Sequence, residues 1–183
     1  MRDAIRQSRV PLLFGLLLLA LDGFTKYLAN MLLMPRHPVQ TALPFWKWFL
    51  TYNEGYHYIF GELEYFGLTQ ALGLVAVSVL IVMMIRERRK MEWNDPMRKL
   101  FGGFIALLIG ALGNPIETVT LGRVTDFFVF SPLPWPSNLA DQYINLAIYV
   151  GLPIWLYLSF REWFAERRKQ QSEGDEEQDL SSD

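Results

Sequence analysis

The sequence of 183 residues contains no cysteine and two histidines, His37 and His57. Without cysteine, the chain has no disulfide, no thiolate metal site and no cysteine nucleophile. Two histidines are too few for a histidine-rich metal site, and we expect no cofactor. We expect no nucleic-acid partner, and the formal charge of −2 hides a strong segregation of charge along the chain.

Apolar residues, in contrast, are abundant. They make up 51% of the chain, and the mean hydropathy is +0.14, which favours a compact membrane protein with polar ends. Four apolar segments approach the roughly 20 residues that a membrane-spanning helix needs, at residues 10–34, 66–85, 100–115 and 139–160. The sequence therefore predicts a single all-α membrane domain over residues 1–169, followed by a disordered acidic tail at 170–183.

Basic residues are concentrated beside one end of each predicted span. The positive-inside rule places such flanks in the cytoplasm. We therefore predict that both termini are cytoplasmic and that segments 35–65 and 118–138 face outward. The basic residues of the predicted inner side are Arg2, Arg6, Arg9, Arg86, Arg88, Arg89, Lys90, Arg98, Lys99, Arg161, Arg167, Arg168 and Lys169, whereas the outer segments contain only Arg36, Lys47 and Arg123.

The outer segment 35–65 is far more aromatic than a solvated loop. Its stretch from Trp46 to Tyr52 predicts a strand, and Asn53-Glu-Gly55 predicts a turn into a second strand. Two interpretations remain open. The aromatic rings form a belt at the lipid headgroups, or they build a small β-like platform on the outer side that also holds a substrate.

Two charged residues lie inside the first span. Asp22 and Lys26 are four residues apart, on one face of a helix, where they can form a pair. An intramembrane ion pair is a candidate functional site. The alternative is a neutralised pair that locks span one to its neighbours, and the sequence leaves both open.

Asp126 and Asp141 each lie where an apolar stretch meets a helix end, and prolines break the chain between them. A carboxylate at an apolar boundary is costly unless it is paired or takes part in chemistry. The phenylalanines beside Asp126 should raise its pKa. If Asn138 caps span four, Asp141 is its third helical residue, a position that is often purely structural. Together, two carboxylates can share one proton and activate a water molecule, as in aspartic proteolysis.

Five short motifs follow one another from span one to span four. They are Asp22-Gly-Phe-Thr-Lys26 (D-x-x-[ST]-K), Asn53-Glu-Gly55 followed by Phe60 (N-x-G-x-x-F), Gly110-Ala-Leu-Gly-Asn114 (G-x-x-G-N), Gly122-Arg-Val-Thr-Asp-Phe127 (G-x-V-x-D-F) and Asn138-Leu-Ala-Asp141 (N-x-A-D). Any one match would be weak, but five in order are specific. On these motifs, the chain resembles the signal peptidase II family, the bacterial lipoprotein signal peptidases.

The resemblance implies an aspartic endopeptidase of the bacterial inner membrane, with its active site facing the periplasm. Such an enzyme cuts before a diacylglyceryl-modified cysteine in prolipoproteins, works among membrane lipids and needs no metal. We expect a monomer. Asp126 and Asp141 fall on the catalytic positions of the family. The positions that support the site or contact substrate correspond to Asp22, Lys26, Asn53, Gly55, Asn114, Glu117 and Asn138.

The chain departs from the family pattern at two places. The family box continues G-N-x-x-D-R, whereas this chain has Glu117 and Thr118. The carboxylate is kept, one methylene longer, and the guanidinium is lost. The Asn53 element is also longer, with Tyr56-His-Tyr-Ile59 inserted before Phe60.

Glu117 needs a partner if it stays ionised near the membrane. We expect Arg123 to supply the missing cation; Lys26 is the other candidate, and a solvated Glu117 is the simpler alternative.

Because both departures touch substrate-facing regions, a non-catalytic or substrate-altered paralogue that binds lipoproteins or lipid is the alternative function. The retention of two aspartates at an apolar edge favours an enzyme. A transporter is poorly supported, because four spans are few and Asp22 with Lys26 would be its only relay. The G-x-G-D motif of another class of intramembrane aspartic protease is absent.

Overall fold

The computed structural model describes residues 2–57, 61–62, 65–92, 95–130 and 135–182. Within these ranges, four helices are long and apolar enough to cross a membrane: Arg9–Leu32, Phe66–Lys90, Pro96–Leu121 and Leu139–Arg168. The predicted membrane architecture of four helices is thereby confirmed. Phe60 of the second motif, and Pro132 and Pro134 of the loop before span four, lie outside the described residues.

The elements follow one another in a simple order. Span one is α1 (Arg2–Leu32), and the segment after it contains the short strands β1 (Val39–Gln40), β2 (Trp46–Asn53), β3 (Tyr56–His57) and β4 (Gly61–Glu62). Span two is α2 (Phe66–Lys90). Span three consists of α3 (Pro96–Ala111) and α4 (Gly113–Leu121), and it leads into β5 (Val124–Phe130). Span four consists of α5 (Leu139–Leu146), a π-helical stretch (Ala147–Gly151) and α6 (Leu152–Ser182).

Span three extends beyond the predicted end at residue 115. Pro115 does not stop the helix, because it lies in the first turn of α4, where a backbone N–H has no intrahelical acceptor to lose. The span ends instead at Gly122, whose φ of 74° is in the left-handed region that favours glycine.

Strands β1, β2 and β5 form an antiparallel sheet in the order β1–β2–β5. This sheet confirms the predicted β-like structure of the aromatic segment, whereas its outer location and its contact with a substrate stay predictions. Within the sheet, Trp46 packs edge to face with Trp48. Leu50, Phe127 and Phe128 pack with Ala29 of α1, so the sheet is seated on one end of span one. The sequence pattern did not reveal β5, because nearly all of its residues are buried and show no alternation.

Span four begins at Asn138, the predicted N-cap. At its other end, α6 continues to Ser182, so the backbone of residues 170–182 is helical in the structure. The acidic composition of this segment still predicts disorder in solution.

Candidate active site

The start of span four lies against β5, and Asn138 lies between the two aspartates. Its Oδ1 accepts a hydrogen bond from Asp141 N at 3.1 Å, and its own N donates to Asp141 Oδ2 at 3.1 Å. These two bonds form a capping box. Because Oδ1 is an acceptor here, the side-chain Nδ2 is free to donate to Asp126 Oδ1, at 2.6 Å. The structure therefore brings Asp126 and Asp141 to two sides of one buried asparagine.

The ammonium of Lys26 is the centre of a second group of contacts. It lies 2.8 Å from Asp22 Oδ2, 3.0 Å from Glu117 Oε2 and 2.7 Å from Asn114 Oδ1. An ammonium has three donors, and three acceptors surround this one. Lys26 is 5% exposed. The predicted Asp22–Lys26 pair is confirmed, and it both ties span one to span three and lies close to the aspartates.

Asn114 connects the lysine to the aspartates. Since its Oδ1 accepts from Lys26, its Nδ2 is the donor toward Asp141 Oδ1, at 2.7 Å. With Asn138 N bound to Oδ2, both oxygens of the Asp141 carboxyl accept hydrogen bonds from the protein. Two asparagines thus orient the two carboxyls, and Lys26 fixes the orientation of Asn114.

Asp22 joins span one to the first turn of span four. It is 1% exposed, and its Oδ1 accepts from Ala140 N at 2.9 Å. A Cβ placed on Gly113 would lie 2.1 Å from Asp22 Oδ2. The close approach of α1 and α4 at this point therefore requires the second glycine of the G-x-x-G-N motif.

The expected Glu117–Arg123 pair is wrong. Glu117 contacts Lys26, the other candidate, while the guanidinium of Arg123 lies 3.8 Å from the centroid of the Tyr52 ring. The reason is the turn at Gly122, after which Arg123 lies beside β2 rather than α1. A solvated Glu117 is also wrong, because its side chain is 11% exposed.

A cavity of about 790 Å³ lies beside this network, and Asn53, Asn114, Asp126 and Asp141 all line it. The cavity walls also include apolar residues of α2, α3 and span four. Gly55, at a φ of 143°, shapes the turn after β2, where its N donates to Asn53 Oδ1 at 3.1 Å. Asn53 shares the cavity with the network. The network itself connects seven of the predicted site residues, namely Asp22, Lys26, Asn114, Glu117, Asp126, Asn138 and Asp141.

Burial raises the pKa of Asp126 well above its usual value, and the negative charge of Asp141 raises it further. The hydrogen bond from Asn138 and the charge of Lys26 oppose this effect, but burial dominates. The predicted rise is confirmed in direction. Among the described residues, no group of three or more histidine, aspartate or glutamate side chains is arranged to bind a metal ion.

Sequence reasoning missed Thr125 and the backbone of Ala140. Thr125 is 1% exposed and donates from both N and Oγ1 to Glu117. The available signal was a polar residue at a variable position of the G-x-V-x-D-F motif, in an otherwise apolar strand. No sequence signal marks Ala140, because its contribution is a backbone N–H.

Comparisons with known proteins give a consistent result. Residues 14–158 match the family model for signal peptidase (SPase) II. The lipoprotein signal peptidase of Caldanaerobacter subterraneus subsp. tengcongensis is 34% identical over 134 residues, which cover 72% of this chain and 86% of that protein. The lipoprotein signal peptidase of Coxiella burnetii (strain RSA 331 / Henzerling II) is 32% identical over 141 residues, covering 75% and 83%.

The fold is also shared with a solved structure. A bacterial membrane enzyme determined by the in meso method at 2.3 Å resolution superposes with a TM-score of 0.67 at 18% identity, over 82% of this chain and 89% of that chain. At 18% identity, this similarity shows only that the two proteins share a fold. With the family match over most of the chain, it follows that this multi-pass membrane protein belongs to the signal peptidase II family.

Proposed function

We propose that this protein is a membrane aspartic endopeptidase that cleaves signal peptides from diacylglyceryl-modified prolipoproteins. The observation that carries the proposal is the pair of carboxyls of Asp126 and Asp141, which line one cavity and are oriented by the asparagine between them. Relatives that are named lipoprotein signal peptidase support the substrate class.

In the proposed mechanism, Asp126 holds the proton that the pair shares, because its pKa is raised and Asn138 occupies only one of its oxygens. Asp141 acts as the general base and removes a proton from a water molecule. The water oxygen attacks the carbonyl carbon that precedes the lipidated cysteine, while Asp126 donates its proton to the carbonyl oxygen. When the resulting diol collapses, Asp126 regains a proton from a hydroxyl. The proton on Asp141 passes to the cysteine nitrogen as the C–N bond breaks.

The surrounding residues would hold these two carboxyls in place. Lys26 fixes Asn114, which binds Asp141, and Asp22 binds the first turn of α5. Asn53 is placed to contact the substrate, because it lines the cavity, and Gly55 shapes the turn that carries it. A constellation of this kind is effective only when its geometry is fixed to within a fraction of an ångström.

The apolar part of the cavity suits the lipid and the signal peptide of such a substrate. Its walls include Phe66 and Val77 of α2, Leu107 of α3 and Ile148 of span four. A diacylglyceryl group and an apolar signal helix would both be stabilised there relative to water. The protein would thus take its substrate from the bilayer, as a monomer.

The orientation of the site follows from the basic flanks of the spans. We propose that both termini lie in the cytoplasm of a bacterial inner membrane and that the aspartates face the periplasm. In this orientation, the exposed rings of Phe45 and Trp135, which lie outside the strands of the platform, are at the depth of the lipid headgroups.

One observation favours a second candidate function, a paralogue with altered substrate choice or with binding but no cleavage. The family has arginine where this chain has Thr118. Thr118 is 3% exposed, and its Oγ1 donates to Asn114 O at 3.0 Å. A hydroxyl bound within its own helix cannot replace a guanidinium in contact with a substrate.

The test is to incubate the purified protein in detergent with a diacylglyceryl-prolipoprotein and to measure release of the signal peptide. Asp126→Asn and Asp141→Asn should each lower kcat by at least about a thousandfold, because each removes an ionisable group with little change of shape. Asp95→Asn is the matched control. Asp95 caps α3 through its side chain, and asparagine caps equally well.

The proposal is supported if the wild type and the Asp95→Asn control release the signal peptide and the Asp126→Asn and Asp141→Asn variants do not. Cleavage that persists in either variant would contradict the two-aspartate mechanism. Binding of the substrate without cleavage by the wild type would favour the paralogue.

A further inference from the structure

Glu117 is shared between two elements of the site. Its Oε2 lies 3.0 Å from Lys26 Nζ on α1. Both of its oxygens lie 3.1 Å from Thr125 N on β5, and Oε1 also accepts a hydrogen bond from Thr125 Oγ1. One carboxylate therefore ties the lysine to the residue that directly precedes Asp126.

Thr125 is held at all three of its polar positions. Glu117 binds its N and its Oγ1, and Asn138 Nδ2 lies 3.4 Å from its carbonyl oxygen. Successive residues of a strand point to opposite faces. Fixing Thr125 on the face toward α4 therefore fixes the direction in which Asp126 points, on the face toward the cavity.

The regular pairing of β5 with β2 is interrupted directly after Asp126. The ladder between β2 and β5 is irregular between Trp48 and Thr51, and Thr51 is the residue opposite Asp126. Two residues of β2 face one residue of β5 there, so β2 is the bulged strand. Thr125 pairs regularly with Tyr52 on the near side of this interruption, so the contacts from Glu117 add to the ladder next to Asp126.

The length of the Glu117 side chain matters for this arrangement. Aspartate, which the family box has at this position, is shorter by one C–C bond of about 1.5 Å. Contacts of 3.0 and 3.1 Å are already near the ordinary hydrogen-bond distance. A carboxylate that is 1.5 Å shorter would lose contact with either Lys26 or Thr125 unless the helices moved.

We propose that Glu117 and Thr125 form a clasp that positions Asp126 for the reaction. The two residues act through strand β5. Glu117 is anchored by Lys26 and holds the backbone N–H and the hydroxyl of Thr125. Because Thr125 directly precedes Asp126, these contacts set the distance between the carboxyls of Asp126 and Asp141. The effect of the clasp on cleavage rests on the proposed function, whereas the clasp itself is a feature of the fold. The charged groups that act on Asp126 are Asp141 on α5, Lys26 on α1 and Glu117 on α4.

The experiment uses Thr125→Val, which removes the hydroxyl at nearly constant volume, and Thr125→Ser, which keeps it. In the cleavage assay, T125V should lower kcat between about tenfold and about a hundredfold with KM within about twofold, because a small misplacement of a reacting group has effects of this size. T125S should restore kcat to within about threefold of the wild type. Thr120→Val is the matched control, since Thr120 is exposed on α4 and its Oγ1 donates only to carbonyls of its own helix.

A double-mutant cycle adds Glu117→Asp and the E117D/T125V pair. If the two residues act as one clasp, the double variant should lose no more than about twofold in kcat beyond the worse single variant. Thermal unfolding of the same proteins should show the same non-additivity in Tm. A kcat in T125V equal to that of the wild type, or additive losses in the cycle, would overturn the inference.

The two proposals can fail separately. A wild type that cleaves nothing would refute the proposed function, and the unfolding cycle would then still decide whether the clasp exists. A wild type that cleaves normally, with an unchanged T125V, would refute the clasp alone.

Discussion

Lys26→Met would remove the ammonium that contacts Asp22, Glu117 and Asn114, at 2.8, 3.0 and 2.7 Å. Methionine has a similar length and is apolar, so it fills the same space without a charge. The two carboxylates would remain, and their side chains are only 1% and 11% exposed. The substitution therefore leaves buried charge without its cation.

The expected cost follows from this geometry. Removing one partner of a buried ion pair typically destabilises a protein by about 3–5 kcal/mol, because the remaining charge is uncompensated. Here two carboxylates lose the same partner, and Asn114 loses the contact that orients it. We therefore expect a loss of at least about 3 kcal/mol, which is a factor of roughly a hundred or more in the ratio of folded to unfolded protein.

Unfolding in detergent, measured for the wild type and for Lys26→Met, would test this value. Lys90→Met is the matched control: Lys90 forms an ion pair with Glu87 at 2.6 Å, but the two side chains are 70% and 53% exposed. Exposed pairs contribute about 0–1 kcal/mol. Similar losses in the two variants, or a loss below about 1 kcal/mol for Lys26→Met, would refute the view that a buried lysine organises the site.

Two further predictions concern pH and topology. Because the folded state raises the pKa of Asp126, it binds this proton more tightly than the unfolded chain does. This contribution to stability is complete below about pH 4 and is lost as the pH rises through the raised pKa, by at most about 1.4 kcal/mol per pH unit. In Asp126→Asn, the free energy of unfolding should therefore depend less steeply on pH across this range. A slope equal to that of the wild type would contradict the assignment. Reporter fusions after Arg89 should report the cytoplasm and fusions near Pro38 the periplasm, and the reverse result would place the aspartates on the wrong side for the proposed substrate.

Features that depend on neighbours along the chain could be predicted from the sequence. The four spans follow from apolar length, the Asp22–Lys26 pair from its i, i+4 spacing, and the cap of span four from the residue type of Asn138. Each of these signals is local, because it reflects the periodicity of one helix or the chemistry of one helix end.

Features that depend on how the helices pack could not be predicted in this way. The contact between Lys26 and Asn114 joins residues 88 positions apart. The choice of Lys26 rather than Arg123 as the partner of Glu117 depends on the turn at Gly122 and on the approach of α1 to α4 through Gly113. The motifs identified the residues of the site, but the contacts between them required the tertiary structure.

The two changes at the family's D-R positions differ in their structural consequences. Glu117 accepts from Lys26 and from Thr125, so its loss would take one of three acceptors from a buried ammonium and would leave the N–H of Thr125 without its acceptor. Thr118 is satisfied within its own helix by Asn114 O and leaves no buried group unpaired. The carboxylate is therefore part of the framework that holds the aspartates, and the chain can lose the cation without disturbing that framework. For this reason, threonine at position 118 leaves the arrangement of Asp126 and Asp141 intact.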